Sequence, residues 1–282
     1  MKKEFSFEPK DFAVNKVHAY LLSAVIPRPI GFVSTIDKDG NVNLSPFSFF
    51  NCFGANPPTL VFSPARRVRG NTVKHTLENV KEVAEAVVGI VNYNTVEQMS
   101  ISSTEYPKGV NEFIKSGLTE YASDIVKPPR IVECPVNFEC KVSNIIETGN
   151  EGGAGNLVVC TVVKMHIDEK VLDENRHIDP VLLDPVSRLG GSLYSRLTKE
   201  SIFEIQKPLS TPGIGYDNLP VWIKNSDSLT GNDLGKLANC ERLPDLIDPN
   251  SISDSKLTEL LNKMHQELQE NRIESAWKMV SR

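Results

Sequence analysis

The chain has 282 residues, 24% of them charged and 40% hydrophobic, enough to bury a substantial core in one large domain or one domain with an appendage. A formal net charge of −5 excludes a chain-wide attraction to nucleic acid or anionic lipid, so any anion site must be local. The chain holds no apolar run of the roughly 20 residues a membrane span needs, no signal-peptide core behind MKKEFSFEPKDF, and no C-x-x-C pair among its five cysteines. A reducing cytoplasm fits that cysteine usage, without a disulfide framework or a zinc site.

In chain order, Pro29 to Ile36 is rich in β-branched and aromatic residues and predicts a strand. Asp37-Lys38-Asp39-Gly40 predicts a hairpin turn into a second strand from Val42. A third strand, Thr59 to Ser63, follows the paired Pro57-Pro58. A short helix opens at Lys74-His75-Thr76, with apolar residues at 77, 80 and 83. Ala86 to Asn92 reads as a buried strand, and Asn94 to Ser103 and Asn111 to Ser116 as short helices separated by Pro107-Lys108-Gly109. Two long strands, Val136 to Glu147 and Leu157 to Asp168, flank a Gly-rich loop from Thr148 to Asn156. The expected fold class is β-rich and mainly antiparallel, a barrel with inserted helices.

The last third differs. A boundary between residues 207 and 208 is expected to separate a barrel domain, 1–207, from a C-terminal extension, 208–282, that begins irregular and ends helical. Thr230 or Asn232 is the expected cap of a short helix there. Leu257, Leu260, Leu261, Met264 and Leu268 form an apolar stripe on a helix from about Ser253, expected to pack on the barrel or on a second subunit.

The chemistry concentrates between Arg28 and Thr76. A phosphate is held where amides at a helix start meet a hydroxyl and a cation. Lys74 and Thr76 supply the cation and the hydroxyl, and Arg69 lies close enough in sequence to help; the alternative is that Thr76 only caps its helix and the arginines are solvated. Ser34-Thr35 and Ser45-Pro46-Phe47-Ser48 are the natural companions, because Pro46 lacks a ladder donor and leaves neighbouring amides free. Phe47, Phe49 or Phe53 would face a flat ring such as an isoalloxazine, or belong to the core. Cys52 reads as a small core residue. Gly152 to Gly155 lie between two strands, outside the strand-to-helix context of a dinucleotide fingerprint. The five histidines, His18, His75, His166, His177 and His265, fall at no metal-ligand spacing.

Several segments carry a resemblance: RPIGFVST, NLSPFSFFN, NPPTLVFS, the R-x-x-x-x-K-x-T-x-x-N run from Arg69 to Asn79, VNEFIKSGLT, PPRIVECPVNFEC and RLGGSLYSRL. In this order, from Val17 to Leu197, they resemble the flavin reductase-like family of FMN-binding split barrels. The resemblance implies a small closed antiparallel barrel and a homodimer with one FMN per subunit at the interface. It also implies an oxidoreductase passing electrons from NADH or NADPH through the flavin to an acceptor. The alternative is a flavoredoxin-like carrier that keeps its FMN and exchanges electrons with a protein partner.

Carried over by position, Ser34, Thr35, Pro46, Phe47, Ser48 and Ser63 would contact the flavin or its ribityl phosphate, and Lys74 and Thr76 would hold the phosphate. Arg28 and Arg69 are secondary candidates for the same anion. His75 departs from the pattern, which commonly has an acidic residue there. The segment GYDNLPVWIKNSDSLTGNDLGKLANCERLP resembles an extension found in a subset of the family.

Overall fold

The computed structural model describes residues 3–205 and 212–282. Helix α1 (Val14–Ala24) leads into the short strand β1 (Arg28–Pro29), then β2 (Gly31–Ile36) and β3 (Val42–Phe47). These last two form a hairpin whose turn is set by Asp37, its carboxylate accepting the Asp39 and Asn41 amides at 3.0 and 2.9 Å. A second hairpin pairs β4 (Phe50–Ala55) with β5 (Pro58–Phe62). There follow α2 (His75–Glu82), β6 (Glu85–Ile90), α3 (Val96–Ile101), α4 (Glu112–Ser116), β7 (Glu120–Tyr121) and β8 (Arg130–Ile131). The long strands β9 (Val136–Glu147) and β10 (Asn156–Ile167) precede α5 (Pro180–Leu183), β11 (Val186–Arg188) and β12 (Tyr194–Arg196).

Seven strands form one antiparallel sheet in the order β3-β2-β6-β9-β10-β5-β4. Neighbouring strands lie about 4.8 Å apart, so in a flat sheet β3 and β5, first and sixth in that order, would stand more than about 20 Å apart. Instead the ring centroids of Phe47 on β3 and Phe62 on β5 are 5.4 Å apart. The sheet therefore rolls around one core, which gathers Val33, Phe62, Leu77, Val88, Cys140 and Val158 among others. It does not zip closed: β3 and β4 are its two edges, so the barrel is split, as the resemblance to FMN-binding split barrels implied. Pro46, on the edge strand β3, disturbs no central ladder. A second core, including Phe32, Leu44, Met99 and Phe113, lies on the other face of β2 and β3, beneath α3 and α4.

Among the elements that the sequence did not predict, α1 and β4 flank the site-bearing strands. No α1 residue is buried, so that helix lacks a strongly apolar stripe facing the core. In β4 the residues Asn51, Cys52 and Phe53 are all exposed, so polar and apolar residues do not alternate along it. Cys52 is consequently a surface thiol and not the core residue expected.

The chain divides into two compact units, Met1–Ile202 and Phe203–Arg282. The expected boundary at 207 and 208 lies outside the described residues. The second unit holds α6 (Val221–Lys224), α7 (Gly231–Ala238), α8 (Asp254–Gln269) and α9 (Ile273–Lys278). Thr230 caps α7 in a capping box with Asp233. The α8 stripe, expected to pack on the barrel or on a second subunit, buries Leu261, Met264 and Leu268 against Ile223, Leu237 and Trp277 of its own unit. Among the described residues no helix is long and apolar enough to cross a membrane.

Gly89 on β6 is closely packed against the second core, since a Cβ there would sit 2.8 Å from Cys134 Sγ and 2.9 Å from Ile131 Cδ1. Gly89→Ala is expected to destabilise the first unit by about 1–3 kcal/mol through overpacking; denaturant unfolding with no loss of stability would contradict this packing.

Candidate functional site

Lys74 stands at the N-cap of α2, in extended backbone and with no side-chain capping bond. The amides of Leu77 and Glu78 close on the Lys74 carbonyl at 2.9 and 3.3 Å, leaving the His75 and Thr76 amides without an acceptor. The start of this helix lines a cavity of about 120 Å³, far above the roughly 10–15 Å³ one water needs. Asn43 and Ser45 of β3 form another wall, with Arg67, the segment from Ser102 to Tyr106, and Glu112 completing it.

Four charged side chains meet here, two of each sign. Both carboxylates are engaged: Glu105 pairs with Arg67 at 3.1 Å, and Glu112 accepts from Asn43 Nδ2 and the Leu44 amide. Arg67 also donates to Thr72 Oγ1 and the Val73 carbonyl at 2.9 and 2.7 Å. Lys74 differs. Its ammonium lies 4.9 Å from the Phe47 ring centroid and makes no hydrogen bond or ion pair among the described residues. Burial, with Arg67 nearby, holds it below the usual lysine range; Glu105 opposes the shift.

The other expected residues scatter. Thr76 is buried at the cavity wall and donates from Oγ1 to Asn43 Oδ1 at 2.9 Å. It sits two residues into the helix region begun by Lys74 and is not its cap. Ser34 and Thr35 are both fully buried and, as neighbours on one strand, point to opposite faces. Thr35 accepts from Asn79 of α2 at 3.2 Å, whereas Ser34 Oγ has no partner. Phe47 belongs to the barrel core, with its ring under Lys74. Ser48 accepts from Arg28 Nε at 3.3 Å, and Ser63 Oγ from the Asn156 amide at 3.0 Å. Pro46 is half-buried opposite Phe32.

Neither secondary arginine lines the cavity. Arg28 is buried and makes four hydrogen bonds, to Ser48 Oγ and to the carbonyls of Leu22, Val25 and Leu189, so it ties the end of α1 to the barrel. Arg69 is exposed on the turn after β5. Arg67 takes the place expected for it. The turn carries Gly70 and Asn71 at positive φ, 79° and 49°, and Arg66 braces it by donating to Asn71 Oδ1 and O. Sequence distance alone does not tell which of three arginines such a turn sends back toward Lys74.

One cluster elsewhere has metal-ligand composition: Asp124, Glu139 and His166. Glu139 is buried and accepts the amides of Asp124, Ile125 and Val126 together with His166 Nε2. Arg130 can only donate, so His166 Nδ1 accepts from it and Nε2 faces Glu139 as the donor. Asp124 pairs with Lys164 and Arg130. Protein donors thus hold every one of these groups.

The model of the flavin reductase like domain matches residues 22–185. An uncharacterized protein of Aquifex aeolicus is 39% identical over 188 residues, 67% of this chain and 93% of that one. Among solved structures, nitrilotriacetate monooxygenase component B from Bacillus cereus superposes with a TM-score of 0.67 at 29% identity, over 73% of this chain and all of the other. The 2-nitrobenzoate 2-nitroreductase NbaA of Pseudomonas fluorescens gives 0.65 at 26% identity, over 75% of this chain and all of its own. The family match ends before the second unit begins and takes in the split barrel, α2 and α4 with the cavity between them: the chain belongs to the flavin reductase-like family.

Proposed function

We propose that the Lys74 cavity holds the phosphate of FMN and that the protein is an FMN-dependent oxidoreductase drawing electrons from NADH or NADPH. The observation that carries this reading is the Lys74 ammonium, half withdrawn from water with no ion pair among the described residues, beside two unpaired helix-start amides. A cation so placed is costly by itself and favourable only with an anion present. Lys74, the His75 and Thr76 amides, and Arg67 would hold the phosphate; Ser45 and Pro46 lie on the strand leading away from it, toward Phe47 and Ser48. Bound FMN supplies hydride and single-electron chemistry at its ring system.

The ring itself would lie at the surface. Edge strand β4 exposes Phe53 at 68%, with Phe49 partly exposed before it and the His18 ring 6.1 Å from Phe49. An uncovered apolar edge of this kind fits a homodimer with the flavin at the seam. Fully buried Ser34 and Thr35 would then support the barrel wall without touching the ligand.

The purified protein is expected to be yellow, or to take up one FMN per chain, and to lose flavin absorbance when mixed anaerobically with NADH or NADPH. A colourless protein that takes up no FMN would overturn the reading. Retained FMN that neither nucleotide bleaches would remove the reductase half and leave an electron carrier.

Lys74→Ala is expected to weaken FMN binding by ten- to a hundredfold, about 1.5–3 kcal/mol for a hydrogen bond to a charged group; unchanged affinity would place the phosphate elsewhere. The ligand-free protein gives a test of opposite sign. Unfolded Lys74 keeps its proton to about pH 10.4, while the folded chain releases it earlier. The penalty of burying the ammonium is therefore full below the folded pKa and fades as pH rises above it. Lys74→Met should raise ligand-free stability at neutral pH, with a smaller gain in alkali; a loss of stability at pH 7 would contradict the unpaired cation.

A further inference from the structure

Glu112 presents a physical contradiction. It is 4% exposed, lines the cavity that would hold an anion, and forms no ion pair among the described residues. A buried carboxylate facing an anion raises the anion's energy and carries its own desolvation penalty. Its role must therefore lie in the hydrogen bonds it accepts.

The hydrogen bonds around it supply that role. Glu112 Oε2 accepts the Leu44 amide at 2.9 Å and Asn43 Nδ2 at 3.0 Å. An ionised carboxylate only accepts, so the Asn43 side chain must turn its NH2 toward Glu112 and its oxygen away. That oxygen faces Thr76, so the Thr76 hydroxyl must be the donor, at 2.9 Å. One acceptor thus fixes the polarity of the whole chain of bonds from α4 through β3 to α2. All three residues are buried, Asn43 at 8% and Thr76 at 1% exposure.

The first turn of α2 depends on this chain. Lys74 at the N-cap makes no capping bond, and from Lys74 to Leu77 the Thr76 hydroxyl makes the only side-chain hydrogen bond among the described residues. Uncapped helix starts fray. Glu112 is itself held firmly, opening α4 with Asn111 as cap and Phe113 locked in the second core.

We propose that Glu112 is a positioning residue for phosphate recognition: through Asn43 and Thr76 it holds the first turn of α2, and with it Lys74 and the unpaired amides, in register with β3. This rests on the phosphate reading given above. It also assigns Thr76 a different part, because a hydroxyl that donates to Asn43 is not available to donate to a phosphate. The amide of Thr76 and the Lys74 ammonium would make the contacts.

The test compares FMN with riboflavin, which lacks the phosphate, using flavin fluorescence titration of the full chain. The readout is the ratio of the two dissociation constants, so no turnover is needed. Glu112→Ala is expected to reduce the preference for FMN about tenfold while leaving riboflavin affinity unchanged, and Asn43→Ala to do the same. The double variant should be no worse than either alone, as for residues acting in one chain of bonds. Glu112→Gln, whose amide oxygen still accepts, should keep most of the preference.

A preference untouched in Glu112→Ala would overturn the proposal, as would FMN and riboflavin affinities falling together, or additive losses in the double variant. Should Glu112→Ala not fold, Asn43→Ala with Glu112→Gln decides: loss in the first with retention in the second supports the relay, and any other pattern overturns it. If the unsubstituted protein binds riboflavin as tightly as FMN, the phosphate reading itself fails.

Discussion

The ammonium of Lys74 is the constraint around which the first unit is arranged. It stands over the Phe47 ring, at an uncapped helix start, with burial and Arg67 both disfavouring its charge. Nearby carboxylates do not pair with it, since Glu105, which offsets only part of the penalty, is on Arg67 and Glu112 is on Asn43 and Leu44. A fold selected for stability alone would pair that lysine or replace it. Keeping it unpaired is comprehensible if a ligand provides the missing charge.

The split barrel makes that arrangement possible. Rolling the sheet brings β3 beside β5, so Phe47 reaches Phe62, while the split leaves β3 an edge that tolerates Pro46. Helix α2 packs against β2 and β3 and sends Leu77 and Val80 into the barrel core, which fixes where its N-terminus points. On the opposite face of β2 and β3, α4 delivers Glu112 to the same place. Three segments distant in sequence thereby share one cavity, and the second unit, beyond the family match, has a separate core of its own.

Much of this was legible in the residues. The β2–β3 turn, the long strands β9 and β10 and the start of α2 follow from alternation, turn residues and apolar spacing. The order of family-like segments pointed to the split barrel before any coordinates. What sequence did not carry was set by tertiary geometry. The curl of the turn at Gly70 and Asn71 decides that Arg67, and not Arg69, reaches the cavity. Arg28 looked like a free cation and is consumed by carbonyls at the end of α1 and at Leu189. The opposed faces of Ser34 and Thr35 could have been read from period-two alternation, which rules out both side chains touching one ring. Glu112 gave no sequence signal as a site residue, since an acidic residue opening a short helix is ordinary.

The most direct test of the central claim is the pKa of the Lys74 ammonium, followed by nitrogen-15 NMR in the full chain without flavin and with one equivalent of FMN. A value below the ordinary lysine range without flavin, rising when FMN is added and not when riboflavin is added, is the predicted result. An ordinary value in the flavin-free protein, or one that FMN leaves where it was, would contradict an unpaired cation awaiting a phosphate.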